Sequence, residues 1–222
     1  MKPFITLSVV IGLLASCVSP QEKAAKAYDE GVALAKQAEA TKEKGDAQAA
    51  LALSKQSLDK LNEAKQHDST HAGLHTAMAH SYFVAGQHAE AMSQYKIANA
   101  KEGEKAANYR EMGLIKLIQG ELSEGHDLLD KAVALDHSKD MIDEINKGVV
   151  QVGEKSFQNG EEVKAKGDKE TAKKHYSYAM NVMMLAYYYD NNRKDVAEKI
   201  AKYADEYGDY TIKVQYTKLS QQ

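Results

Sequence analysis

Residues 72–105 read AGLHTAMAHSYFVAGQHAEAMSQYKIANAKEGEK, and residues 106–139 read AANYREMGLIKLIQGELSEGHDLLDKAVALDHSK. Laid one over the other at a constant offset, they pair Met78 with Met112, Ala79 with Gly113, Gly86 with Gly120, Tyr95 with Leu129 and Ala98 with Ala132. Similarity at a fixed period marks a supersecondary unit that cannot bury its own apolar face and stacks on a copy of itself. Each stretch reads as a helix–turn–helix. The glycine sits in the turn, Gly or Ala lets the paired helices approach, and the large residues fill the space between units.

The rest of the chain agrees with a helical reading. Ala, Lys, Glu, Gln and Leu, all strong helix formers, dominate it. Its two prolines are Pro3 and Pro20, and no continuous β-branched run occurs between residues 21 and 208. A third, weaker copy of the unit starts near Gly153 and runs through Gly160, Gly167, Ala172, Tyr176 and Ala179. Gly45 lies further from Gly86 than one period, so the first helix pair (about 22–66) carries extra turns. Gly120 and Gly167 lie further apart still, which implies a long helix over 140–166 with Met141, Ile145, Val149 and Val152 on one face.

The unit resembles the tetratricopeptide (TPR) family. In family register the first copy shows Met78, Ala79, Tyr82, Gly86, Ala91, Tyr95 and Ala98. The second shows Met112, Gly113, Gly120, Leu122, Leu129, Ala132 and then Asp136 near the closing turn. Three departures stand out: Lys116 occupies an aromatic slot, Gly125 replaces the usual Ala, and the closing proline is missing from every unit. The resemblance implies an all-α, TPR-like α-solenoid of antiparallel helix pairs. Toward the C-terminus, Tyr187, Tyr188 and Tyr189 fan around a helix and cannot all face one core. Val196, Ile200, Tyr203 and Tyr207 mark another amphipathic helix ended by Gly208. Residues 209–222 fit either a strand, by alternation of Tyr210, Ile212, Val214 and Tyr216, or a helix, by Ile212, Tyr216 and Leu219. In either form they are read as part of a C-terminal capping element.

The N-terminus carries a different signal. Met1-Lys2-Pro3 precedes an apolar run, FITLSVVIGLL (residues 4–14), of signal-peptide length and too short for the ~20 residues of a membrane span. Leu14-Ala15-Ser16-Cys17 follows and resembles the bacterial lipobox. The expected organisation is a lipoprotein signal peptide at 1–16, a lipidated N-terminus and short linker at 17–21, and a helical domain at 22–222. The resemblance implies a diacylglycerol on the Cys17 sulfur and an acyl group on the new α-amine. Val18 is not Asp, which by the enteric sorting rule implies the outer membrane, here read as periplasm-facing. Cys17 is the chain's single cysteine, so no internal disulfide can form. The net charge is −3, and loss of Lys2 makes it one unit more negative. That balance offers nothing to nucleic acid or to anionic lipid headgroups.

No catalytic constellation is legible, and a non-enzymatic protein without cofactor is expected. The stretch GVVQVGEKS (148–156) has the glycines of a phosphate loop, but Glu154 interrupts it and no strand precedes it, so it is read as helix. His71 and His75 have a metal-capable i, i+4 spacing within a cluster with His67, His80 and His88. No sulfur ligand or HExxH glutamate accompanies them. His75 falls in a helix-packing slot and His88 in a core slot, so no metal site is assigned. Met180, Met183 and Met184 are read as core filler, and Glu161-Glu162 as a solvated face.

What remains is the concave groove that the family resemblance implies. Its partner-facing slots fall on the first helix of each unit: Thr76, His80 and Phe83 in one copy, Arg110, Leu114 and Leu117 in the next. These residues offer an apolar strip with two polar handles, suited to an amphipathic helix or an extended peptide. The competing reading makes Leu114 and Leu117 plain core. The leading expectation is a lipid-anchored envelope scaffold that binds another envelope protein; TPR lipoproteins of this size resemble assembly factors for pili, outer-membrane proteins or secretion machinery. The alternative is a small-ligand or metal-binding periplasmic lipoprotein accessory to a transporter, motivated by the histidines and by 13 Tyr against 3 Phe and no Trp.

Overall fold

A computed structural model describes residues 19–222. The lipobox, Cys17 and the preceding signal lie outside the described residues. Among those described, ten helices follow one another: α1 (Pro20–Glu43), α2 (Ala47–His67), α3 (Leu74–Val84), α4 (His88–Glu102), α5 (Ala106–Ile118), α6 (Leu122–Leu135), α7 (Lys139–Ala165), α8 (Lys169–Tyr189), α9 (Lys194–Tyr207) and α10 (Tyr210–Ser220). They form five antiparallel pairs.

One turn makes all five pairs. In the second unit, the Gly86 N–H donates to the Phe83 carbonyl (3.0 Å) and the Gln87 N–H to the Tyr82 carbonyl (2.9 Å). The third repeats this with Gly120 on Leu117 (3.0 Å) and Glu121 on Lys116 (2.9 Å). This double bond is the Schellman closure, which satisfies two orphan carbonyls at a helix end. It requires a left-handed residue: φ is +76° at Gly86 and +86° at Gly120, which only glycine adopts at low cost. The same bonds recur at Gly45, Gly167 and Gly208. Three connections between pairs use aspartate instead. Asp68, Asp136 and Asp190 end α2, α6 and α8 in extended conformation, each donating its N–H to an alanine carbonyl one turn back. Their carboxylates then accept from the backbone two residues on. Aspartate thus closes these units at the point where the resemblance implied proline.

Small residues set the spacing within pairs. A Cβ on Gly113 would stand 2.7 Å from Leu129 Cγ, and one on Gly125 2.6 Å from Leu117 Cδ2, so α5 and α6 touch through two glycine–leucine contacts. Gly125, the departure from the family alanine, is what admits Leu117. Gly31 receives Leu61 in the first pair, and Gly160 receives Tyr176 in the fourth. Lys116 is turned outward instead of filling an aromatic slot: its ammonium bridges Glu121 and Glu124 (2.8 Å) across the turn.

Pairs stack by contact between first helices in the first four pairs (α1–α3, α3–α5, α5–α7), and of each second helix with the following first helix. The face lined by the first helices is the inner face; second helices also meet through side chains, the Tyr189 hydroxyl of α8 donating to Asp130 of α6 (2.9 Å) and His126 of α6 lying edge-on to Tyr188 of α8 (5.3 Å). One large apolar cluster runs from Ala79 to Tyr216, and a smaller one (Ala27, Leu61, Ala64, Leu74, Ala77, Met78) joins the first pair to the second. The anticipated long helix is α7. Met141, Ile145 and Val149 are buried along it, and the GVVQVGEKS stretch forms its middle. Residues 209–222 are helical: Asp209 caps α10, and Ile212, Tyr216 and Leu219 turn inward, Tyr216 lying edge-on to Tyr187 (5.4 Å). Tyr188 is left exposed, as the fan of three tyrosines requires. Helices α9 and α10 form a fifth pair that closes the main cluster at the far end. No described helix is long and apolar enough to cross a membrane.

Candidate functional site

The first helices of four pairs converge on one open cleft of about 500 Å³. Helix α1 contributes Glu39, Lys42 and Glu43, α3 contributes Phe83 and Val84, and α4 contributes His88. Helix α5 adds Leu114 and Ile118, and α7 adds Gly148, Gln151, Val152 and Lys155. Its floor is apolar. Leu114 wedges against Gly148, where a Cβ would stand 2.6 Å from Leu114 Cδ1, so α5 and α7 meet closely beneath the cleft. Ile118 is 47% exposed and lies one turn further along α5. A neighbouring hollow lined by Leu117, Ile118, Val152, Lys155 and Tyr178 continues the groove toward α8.

The charges of the cleft are unequal in commitment. Glu43 pairs with Lys147 on α7, and Glu39 faces His80 Nε2 at 3.8 Å. Lys42 is exposed along its stem but turns its ammonium inward, donating to the Val84 carbonyl (3.1 Å) and lying 5.6 Å from the centre of the Phe83 ring. Burial of the ammonium lowers its pKa, against the pull of Glu39 and Glu111. His88 packs beside Phe83 (6.4 Å between rings), and burial together with the Lys42 charge lowers its pKa too. The half-buried His88 is therefore a wall of the cleft, not the core residue that its repeat slot implies.

Beneath the cleft lies a closed polar network. Glu111 is buried, with His80 Nδ1 at 3.0 Å, Arg110 Nη2 at 3.2 Å and a hydrogen bond from the Tyr95 hydroxyl. Arg110 also pairs with Glu144 of α7. Burial opposes the Glu111 charge, but His80, Tyr95 and Arg110 outweigh it and hold the carboxyl below its usual range. Burial likewise opposes charge on His80, and Glu111, assisted by Glu39, raises its pKa all the same. Burial and the Glu111 charge push the Tyr95 hydroxyl well above its ordinary value. The arrangement fastens α1, α3, α4, α5 and α7 together.

The six residues anticipated for the groove are thus distributed over several roles. Phe83 and Leu114 line the cleft. His80 and Arg110 belong to the network below it. Thr76 donates to Glu102 (2.9 Å), which also accepts the His75 N–H (2.9 Å), so Thr76 ties the start of α3 to the end of α4. Leu117 is wholly enclosed against Gly125, and its carbonyl accepts the Tyr178 hydroxyl. Lys42, Ile118, Val152 and Lys155 are cleft residues that slot matching does not reach. Three of them, Lys42, Val152 and Lys155, sit on α1 and α7, which fall outside the regular period; Val152 carries a signal in the apolar face of α7, and Ile118 in its i, i+4 relation to Leu114. The histidines do not gather. His71 packs on Tyr28 (4.5 Å between rings) and His75 Nδ1 meets Gln94 (2.9 Å). No cluster of three or more His, Cys, Asp or Glu able to hold a metal occurs among the described residues.

No protein-family model and no curated protein matches the chain. Solved structures do. The MamA protein matches at 14% identity over 90% of each chain, with a TM-score of 0.51. PilF of Pseudomonas aeruginosa matches at 18% identity over 89% of this chain and 77% of its own, with a TM-score of 0.47. YrrB, described as a TPR protein with an unusual peptide-binding site, matches at 14% identity over 89% and 90%, with a TM-score of 0.44. At these identities a likeness speaks to fold alone, and only the MamA superposition is close enough to carry that argument. With the five repeated turns and stacked pairs, it makes the chain an all-α, TPR-like α-solenoid of antiparallel helix pairs capped at its C-terminus.

Proposed function

We propose that this protein is a non-enzymatic scaffold of the bacterial cell envelope that holds a segment of another protein in its inner groove. The observation that carries this reading is the convergence of α1, α3, α5 and α7 on an open cleft with an apolar floor, Phe83, Leu114, Ile118 and Val152. A groove of this kind takes an amphipathic helix or an extended peptide by its apolar side chains. The titratable cluster nearest to it is internally satisfied, which supports binding over catalysis.

The anchoring part of the proposal comes from sequence. Cleavage before Cys17 and lipidation of its thiol would tether the solenoid to the outer membrane, facing the periplasm, as one component of an envelope assembly. Ser19 caps α1 and Pro20 opens it, so the first helix begins within three residues of Cys17. Such a linker spans at most ~10 Å, so the tether would hold the first pair close to the lipid surface.

The test has two arms. Metabolic labelling with a clickable palmitate analogue should mark the wild-type protein, and Cys17→Ser should lose both the label and membrane fractionation. Ile118→Asp, at an exposed position, should leave thermal unfolding unchanged while removing the co-purifying envelope protein. A Cys17→Ser protein that stays labelled and membrane-bound would refute the anchor. Normal partner recovery by Ile118→Asp would refute the groove.

A further inference from the structure

We infer that the segment held in the cleft is acidic as well as amphipathic: its apolar side chains lie on Phe83, Ile118 and Val152, and a carboxylate is received by Lys42 and Lys155. The inference rests on the groove reading above and adds the charge of its occupant.

The chain as a whole is acidic, with 32 Asp and Glu against 29 Lys and Arg. Many lysines elsewhere face acids directly: Lys60 meets Glu30 at 2.8 Å, Lys139 meets Asp143 at 2.7 Å and Lys199 meets Glu154 at 2.8 Å. The cleft differs from those sites. Its two acids are engaged, Glu43 with Lys147 and Glu39 facing His80. Its two lysines are not: among the described residues neither Lys42 nor Lys155 has a carboxylate within ion-pair distance.

Lys42 is the more telling of the two. An ammonium carries three N–H donors, and one is spent on the Val84 carbonyl. The others lie at the edge of an apolar floor that a docked segment would screen from water. A neutral occupant would cover this charge without satisfying it, which costs free energy. A basic occupant would add repulsion. A carboxylate would gain a charge-assisted hydrogen bond in surroundings less polar than bulk water.

Selection of random dodecapeptides on phage against the purified protein tests this, followed by fluorescence-polarisation titration of the recovered peptides. The wild type should recover sequences with Asp or Glu at helical spacing from Leu, Ile or Phe. Ile118→Asp should abolish their binding. Lys42→Gln with Lys155→Gln should weaken it about tenfold or more and flatten its salt dependence, with helical content by circular dichroism unchanged. Lys96→Gln, on α4 outside the cleft, should do nothing. Neutral or basic peptides that need Ile118 but ignore the lysine pair would overturn the acidic assignment and leave the groove standing. Peptides indifferent to Ile118→Asp would remove the groove reading itself. A library that yields no binder, or dodecanoate binding that depends on Lys42 and displaces every selected peptide, would overturn the assignment to a protein segment.

Discussion

Glu111 is the residue on which the inner face turns. A carboxylate so enclosed persists as an anion only because His80, Tyr95 and Arg110 surround it. Removing it should be costly: Glu111→Ala leaves the buried Tyr95 hydroxyl and the His80 ring without their acceptor and takes one of its two carboxylates from Arg110, and a loss of about 3–5 kcal/mol is expected in chemical denaturation. The pair also fixes a pH profile. His80 titrates above its ordinary 6.5 in the fold, so its stabilisation is complete below about 6.5 and fades as pH rises through the raised value. Glu111 titrates below its ordinary 4.5, so its stabilisation is complete above about 4.5 and is lost as pH falls through the lowered value. Stability from this pair should therefore be greatest between those limits. Thermal unfolding of His80→Gln followed upward from about pH 6.5 should lack that alkaline decline; an unchanged slope would mean that another group sets it.

At the level of elements, the recurring device is a helix pair closed by a left-handed glycine and spaced by a small residue. Gly120→Ala should cost about 1–2 kcal/mol, because alanine must then hold φ at +86° with nothing gained in packing. Gly113→Ala fails for another reason, since its methyl meets Leu129 and the Gly125 carbonyl, and about 1–3 kcal/mol is expected from overpacking. Equilibrium unfolding of both variants checks these values. The 34-residue units were legible because these constraints write themselves into the chain: Gly86 and Gly120 at the turns, Ala79 and Gly113 at the crossings. The structure of residues 209–222 was not, because Tyr210, Ile212, Val214 and Tyr216 satisfy both periods, and only the cap at Asp209 and the contact of Tyr216 with Tyr187 select the helix. The groove was half legible for a related reason. Phe83 and Leu114 follow from matching one unit to another, whereas Lys42, Val152 and Lys155 come from the two helix pairs whose lengths break the period. The enclosure of Leu117 depends on Gly125, a residue on the opposite helix.

Across the whole molecule, cohesion is uneven. The first pair buries Ala24, Ala27, Gly31, Ala35 and Ala38 on α1 against Ala50, Ser54, Ser57 and Ala64 on α2, with Leu58 and Leu61 as its large buried side chains, and joins the second through a minor cluster. The fourth and fifth pairs bury Phe157, Tyr176, Met183, Ile200 and Tyr203, with Phe157 stacked on Tyr203 at 4.2 Å. In a solenoid, stability is close to a sum over neighbouring units. Native-state hydrogen exchange should show α1 and α2 opening at lower free energy than α7 and α8; equal protection across the chain would contradict a one-dimensional array. This softness falls on the pair that supplies Lys42 and, on the proposed topology, stands nearest the lipid anchor.

The measurement that bears most directly on the central claim is site-specific photo-crosslinking in producing cells, with p-benzoylphenylalanine placed at Ile118 in the cleft and, separately, at Lys96 on α4. A partner-holding groove predicts one discrete protein adduct from position 118 and none from position 96. Adducts from position 96 alone, or no adduct from either, would contradict it.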